Sequence, residues 1–171
     1  MSDIIIGIDP GVSGALAVIH PTGYTSHDTP TVKVKVGKGM RTRYDLQEMV
    51  SLVKRILDNA TSNDLTVECW LENVHAMPGQ GVSSMFSMGR GLGNWEAIIA
   101  TMRIPLNYVS PVRWKNTIMD GMGKEKDAAV LKAQQIFPLA VLRTERGRLL
   151  DGRAEALLIA EYGLRYGGNK T

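Results

Sequence analysis

The chain has 171 residues, with 20 Lys and Arg against 17 Asp and Glu and one cysteine, Cys69. That length suits one domain, residues 1–171, with its own core, and a lone cysteine excludes an intrachain disulfide scaffold. The net charge of +3 is too small to mark a nucleic-acid binder by itself, and no apolar run fits a membrane span or a secretory leader, so the expected location is the cytoplasm.

In chain order, Ile4–Asp9 reads as a central strand: an unbroken apolar run ending in an acid, then Pro10-Gly11. Residues 14–20 follow as a hairpin partner. Residues 32–36 (VKVKV) alternate with period two, which predicts a half-exposed or edge strand; the lysines would also discourage edge pairing. Residues 44–59 carry Leu46, Met49, Val50, Val53, Ile56 and Leu57 at helical spacing, with Asp45 as a cap. Residues 66–72 form the next strand and end in Glu72. Cys69 within it reads as a buried thiol rather than a nucleophile. Residues 75–82 hold Pro78, Gly79 and Gly81 and read as a loop.

A helix then begins near Ser83 and runs to about Met102, with Gly89, Gly91 and Gly93 inside it. Interior glycines cost about 1 kcal/mol each relative to alanine, which points to close approach by another helix or by a DNA backbone, or to a local break. Residues 106–110 form a short strand, Pro111 to Lys115 open a turn, and 121–123 form a glycine loop. Helices are expected over 125–137 and Asp151–Tyr166. The whole is α/β.

Three groups of carboxylates stand out: Asp9, Glu72, and the pair Asp151 and Glu155. A charge at the end of an apolar strand requires a compensating partner or metal. Oxygen ligands suit Mg²⁺, and the placement of the acids suggests two-metal phosphodiester chemistry. The plainer readings are a turn cap for Asp9, a solvated strand end for Glu72, an N-cap for Asp151, and ion pairs from Glu155 to Arg148 or Arg153. Lysines and arginines cluster at 33–43, 113–126 and 143–153. Trp114 beside Lys115 reads as core or as a stacking surface for DNA.

The order of strands and helices is that of the ribonuclease H-like fold, a mixed five-stranded sheet flanked by helices. IDPGVSGALAVI, LENVH, SPVRWKNTIMDGMGKEK and DGRAEALLIAEY together resemble the RuvC-type Holliday junction resolvases, over nearly the whole chain. The resemblance implies a Mg²⁺-dependent endonuclease, with two ions per site and Mn²⁺ as a substitute, that cuts four-way branched DNA by paired nicks. It implies Asp9, Glu72 and Glu155 as metal ligands. The family's further acid or histidine falls on Gly152 here, so Asp151, one turn before Glu155, is the substitute. Lys115 and Lys126 match basic residues near the scissile phosphate, and residues 74–86 match the segment entering the branch point. Phe86 with Met77, Met85 and Met88 reads equally as a wedge between bases and as apolar area buried under the loop or across a dimer interface.

The same resemblance implies a homodimer through the 83–102 helix. Gly89 and Gly93 share one face of that helix, and Trp95, Ile98 and Met102 would add apolar area. A junction has two-fold symmetry, and symmetric cuts need two related sites. The source, a bacterial cell or a phage acting in its host, stays open. So do a related nuclease acting on other branched or hybrid nucleic acids, and a non-catalytic binder of branched DNA. An actin-like or sugar-kinase-like ATPase would need a much longer chain.

Overall fold

The computed structural model describes residues 2–76, 78–123 and 127–167. Five strands form the central sheet: β1 (Ile4–Asp9), β2 (Ala15–His20), β3 (Gly23–Asp28), β6 (Val67–Glu72) and β7 (Leu106–Val109), in the order β3-β2-β1-β6-β7. β1, β2 and β3 pair antiparallel, whereas β6 and β7 join parallel, so the sheet is mixed as expected. Two further strands, β4 (Thr31–Val36) and β5 (Gly39–Tyr44), make a separate hairpin.

Helices α1 (Leu46–Ser62) and α2 (Val82–Thr101) cover one face of the sheet, and α3 (Pro111–Ile118), α4 (Ala128–Ile136) and α5 (Asp151–Tyr166) cover the other. The period-two alternation of strands sorts the central side chains. Ile4, Ile6 and Ile8 pack with Met49, Leu52 and Trp95 under α1 and α2. Ile5 and Trp70 pack with Trp114, Leu157 and Tyr162 on the α5 face. Gly7 also lies on that face, and a Cβ there would overlap the Ala156 carbonyl and the Ala160 amide. The glycine thus lets α5 lie directly across β1.

Several expectations are corrected. The third strand of the sheet is β3, not residues 32–36, which lie in the separate hairpin. Gly37-Lys38 is a two-residue loop with Gly37 at φ +60°, the turn chemistry of a tight hairpin. Tyr44 closes β5 rather than opening a helix; α1 starts at Leu46, and Asp45 does cap it, accepting from the Glu48 amide at 3.1 Å. Pro111 to Lys115 form a helix rather than a turn. Ser110 caps α3 by accepting from the Arg113 amide, and Pro111 holds the first helical position, a combination that favours helix initiation.

Gly91, of the three α2 glycines, meets another segment: a Cβ would overlap the Pro10 carbonyl and the Tyr44 hydroxyl. Gly89 and Gly93 face open space. Trp95 and Ile98 are buried in the chain's own core, so they supply no area to a partner. Cys69 is fully buried, and burial pushes its thiol up beyond the ordinary range. Among the described residues no helix is long and apolar enough to cross a membrane.

Candidate active site

Asp9 ends β1 and Glu72 ends β6, two adjacent parallel strands in which Ile8 stands opposite Leu71. The next position on each strand therefore brings Asp9 level with Glu72. Alternation puts Asp9 on the same face as Ile5 and Gly7, and Glu72 on the same face as Trp70. Both acids thus lie under α5, where Glu155 completes the group. One carboxylate oxygen from each of Asp9, Glu72 and Glu155 lies within 4.8 Å of the others.

Asp9 also meets the plainer expectation of a turn cap, since the Gly11 amide donates to its Oδ1 at 3.3 Å. Glu72 is buried. It accepts from the Trp114 indole N–H through Oε1 at 2.7 Å. Trp114 is wholly buried on α3, so the core reading holds for its ring while its N–H serves the site. Lys115, next in the same helix, donates from Nζ to Glu155 Oε1 at 2.9 Å, and its ammonium lies 5.0 Å from the Trp114 ring centroid. Lys115, not Arg148 or Arg153, is therefore the partner of Glu155. Arg153 forks onto both oxygens of Asp28 at 2.6 and 3.0 Å.

Among the described residues, three carboxylates here face one ammonium. Burial, and then the charges of Glu155 and Glu72, raise the Asp9 carboxyl from 3.8 to about 7. Burial also raises Glu72, although the Trp114 hydrogen bond works against the rise. For Lys115, burial opposes its charge, but Glu155, Glu72 and Asp9 outweigh burial and hold the ammonium above the usual lysine value. Such a site is under-compensated. An all-oxygen donor set of this kind fits a hard divalent cation.

Asp151 is the first residue of α5 and is exposed. It lines the same cleft as Asp9 and Glu155, a space of about 580 Å³, but it is not part of the close carboxylate group. The position before Arg153 has no room for an acid: a Cβ on Gly152 would overlap the Ser13 carbonyl. Close packing of α5 on the turn after β1 explains why this chain carries glycine there. Lys126 and Met77 lie outside the described residues. Phe86 is exposed at the start of α2, with the Arg90 guanidinium 5.9 Å from its ring centroid.

Sequence reasoning missed two contributors. One is the Trp114 N–H as partner of Glu72; the Ser110-Pro111 helix start was the available signal. The other is Tyr44, whose hydroxyl donates to the Ser87 carbonyl at 2.9 Å and lies 3.3 Å from the Pro10 carbonyl. It ties β5 and α2 to the turn beside Asp9.

No family model and no curated protein matches the sequence. The fold is shared with solved structures. Thermus thermophilus RuvC in complex with a Holliday junction substrate aligns over 98% of this chain and 96% of its own, with a TM-score of 0.58 at 17% identity. Another Thermus thermophilus RuvC structure aligns over 98% and 97%, with a TM-score of 0.51 at 19% identity.

Proposed function

We propose that the chain is a structure-selective DNA endonuclease that resolves four-way junctions by paired symmetric nicks, with residues 1–171 acting as one nuclease domain. The observation that carries this reading is the Asp9–Glu72–Glu155 cluster, set within 4.8 Å in a fold shared with a RuvC bound to a Holliday junction substrate.

Asp9, Glu72 and Glu155, with Asp151 at the rim of the cleft, would hold Mg²⁺, two ions per site. Bound Mg²⁺ would supply an acidified water as nucleophile and a counter-charge for the leaving 3′ oxygen. The chain's own residues prepare the site. Trp114 fixes one oxygen of Glu72, which leaves the other for ligation. Lys115 holds Glu155 and, from the same position, offsets charge that builds on the phosphate. Lys126 has the same proposed role. No side chain is needed as a covalent nucleophile, and the buried Cys69 thiol is unsuited to be one.

Paired nicks call for two sites related by symmetry. A homodimer through α2 is supported by one exposed stripe on that helix: Val82, Phe86, Gly89, Gly93 and Ala97. These residues follow helical spacing, and two of them are glycines that permit close approach. Residues 74–86 would then face the junction centre.

The test is strand cleavage on a synthetic four-way junction, a linear duplex and an RNA–DNA hybrid, each with and without Mg²⁺. Symmetric nicks on the junction alone, dependent on Mg²⁺ and lost in Asp9→Asn, are expected. Cleavage of the hybrid but not the junction would move the chain to another ribonuclease H-like activity. Junction binding with no cleavage under any divalent metal would leave a non-catalytic binder.

A further inference from the structure

The β4–β5 hairpin is a basic arm without acids. Residues 31–44 contain Lys33, Lys35, Lys38, Arg41 and Arg43 and no Asp or Glu. All five cations are exposed, and none is in an ion pair among the described residues. The hairpin pairs with no strand of the central sheet. It is rooted at Tyr44, through the contacts to the Ser87 and Pro10 carbonyls, and at the Asp45 amide, which donates to the Pro30 carbonyl at 2.9 Å.

Its register decides which side faces the acids. Thr31 stands opposite Tyr44, Lys33 opposite Thr42 and Lys35 opposite Met40, and paired residues share a face. One face therefore carries Thr31, Thr42, Lys33 and Lys35. The other carries the valines with Arg41 and Arg43. Thr31 and Thr42 line the cleft that also holds Asp9, Asp151 and Glu155. On that same face Lys33 stands level with Thr42 at the edge of the cleft, and Lys35, paired with Met40, is the next position outward. The acidic cleft thus opens directly onto a lysine-bearing ribbon.

We infer that this ribbon is a clamp for one duplex arm of the DNA, with Lys33 and Lys35 contacting backbone phosphates outward of the cut site. The inference rests on the proposed function and adds a surface to it. Charge complementarity names the occupant: this face adjoins the cleft that would hold a phosphate chain at the acids, and phosphates are what unpaired lysines neutralise. Six residues per strand span about 20 Å, a reach of roughly six base pairs at 3.4 Å each. The lysines could instead serve only to block edge pairing, a task that a charge of either sign performs. Reversing the sign separates the two roles.

The experiment measures gel-shift affinity in EDTA, against salt, for four-way junctions whose arms are either twice that reach or shorter than it. The proteins are the full wild-type chain, Lys33→Glu/Lys35→Glu, Lys33→Ala/Lys35→Ala and Lys33→Arg/Lys35→Arg. The glutamate pair is expected to lose about tenfold or more in affinity on long arms and little on short ones. The alanine pair should flatten the log–log salt slope by about two units. The arginine pair keeps sign and reach and should bind as wild type does, with thermal midpoints alike in all four proteins. Wild-type affinity and slope in the glutamate pair would overturn the clamp while leaving the proposed function intact. Loss of binding in the arginine pair would overturn its electrostatic basis. A wild-type chain that binds no junction would overturn the proposed function, and the clamp with it.

Discussion

Trp114 donates its indole N–H to Glu72 Oε1 at 2.7 Å, a helix reaching across to the end of a strand. The bond gives a buried carboxylate a donor that cannot change protonation state. In its absence Glu72 would have burial and a neighbouring carboxylate acting against its charge.

Trp114→Phe keeps the aromatic volume and removes the donor. A hydrogen bond to a charged group is worth about 1.5–3 kcal/mol, so the single-turnover rate is expected to fall about tenfold or more. The Trp114 bond lowers the Glu72 carboxyl. Its loss should therefore move the acid limb of the pH–rate profile to higher pH. An unchanged rate and profile would show that Trp114 serves packing alone.

Asp9→Asn is expected to abolish cleavage while junction binding is kept or tightened, and Glu72→Gln should do the same. Asp9→Asn also changes stability in a pH-dependent way. The unfolded chain releases the Asp9 proton near the ordinary 3.8, whereas the folded chain holds it to about 7. Between those values the folded state binds more protons, so stability falls as pH rises through that window. In EDTA at pH 8 the variant should melt above wild type by several degrees, and at pH below 3.8 the difference should vanish. Mg²⁺ should raise the wild-type midpoint at pH 8 more than that of the variant. Equal midpoints throughout would mean that Asp9 carries no electrostatic strain.

Lys115→Ala should slow the chemical step more than it weakens binding, because the lysine sits on Glu155 beside the other two acids. As one phosphate contact it should change the salt slope by only about one unit. The same outcome is expected for Lys126→Ala. A normal single-turnover rate with weakened affinity would move either lysine to the binding surface.

The α2 glycines should separate by role. A Cβ at Gly91 would overlap the Pro10 carbonyl, so Gly91→Ala should lower the thermal midpoint and disturb cleavage through the turn beside Asp9. Gly89→Leu and Gly93→Leu have open space around them and should melt near wild type. They should nevertheless weaken the dimer in sedimentation and leave nicked rather than linear product from a supercoiled cruciform. A stable dimer with coupled cuts in both leucine variants would place the interface elsewhere.

The apolar strands, the acids at their ends and the amphipathic face of α1 are legible in the chain alone, because strand alternation and helical periodicity are local properties. Asp9 and Glu72 could be read from their positions after Ile8 and Leu71. The rest of the site depends on elements that cross in space. That Gly7 admits α5, so that Glu155 meets Asp9, depends on two segments far apart in sequence. The exclusion of a side chain at Gly152 by Ser13 follows from how closely α5 seats on the β1–β2 turn, and Lys115 rather than Arg153 is the partner of Glu155 because α3 packs beside α5 while Arg153 reaches Asp28 at the end of β3. The VKVKV strand had the right period, but period alone does not say which strand it pairs with. Its pairing with β5 was settled by the Gly37-Lys38 turn, which made a separate hairpin of it and left β3 to complete the sheet.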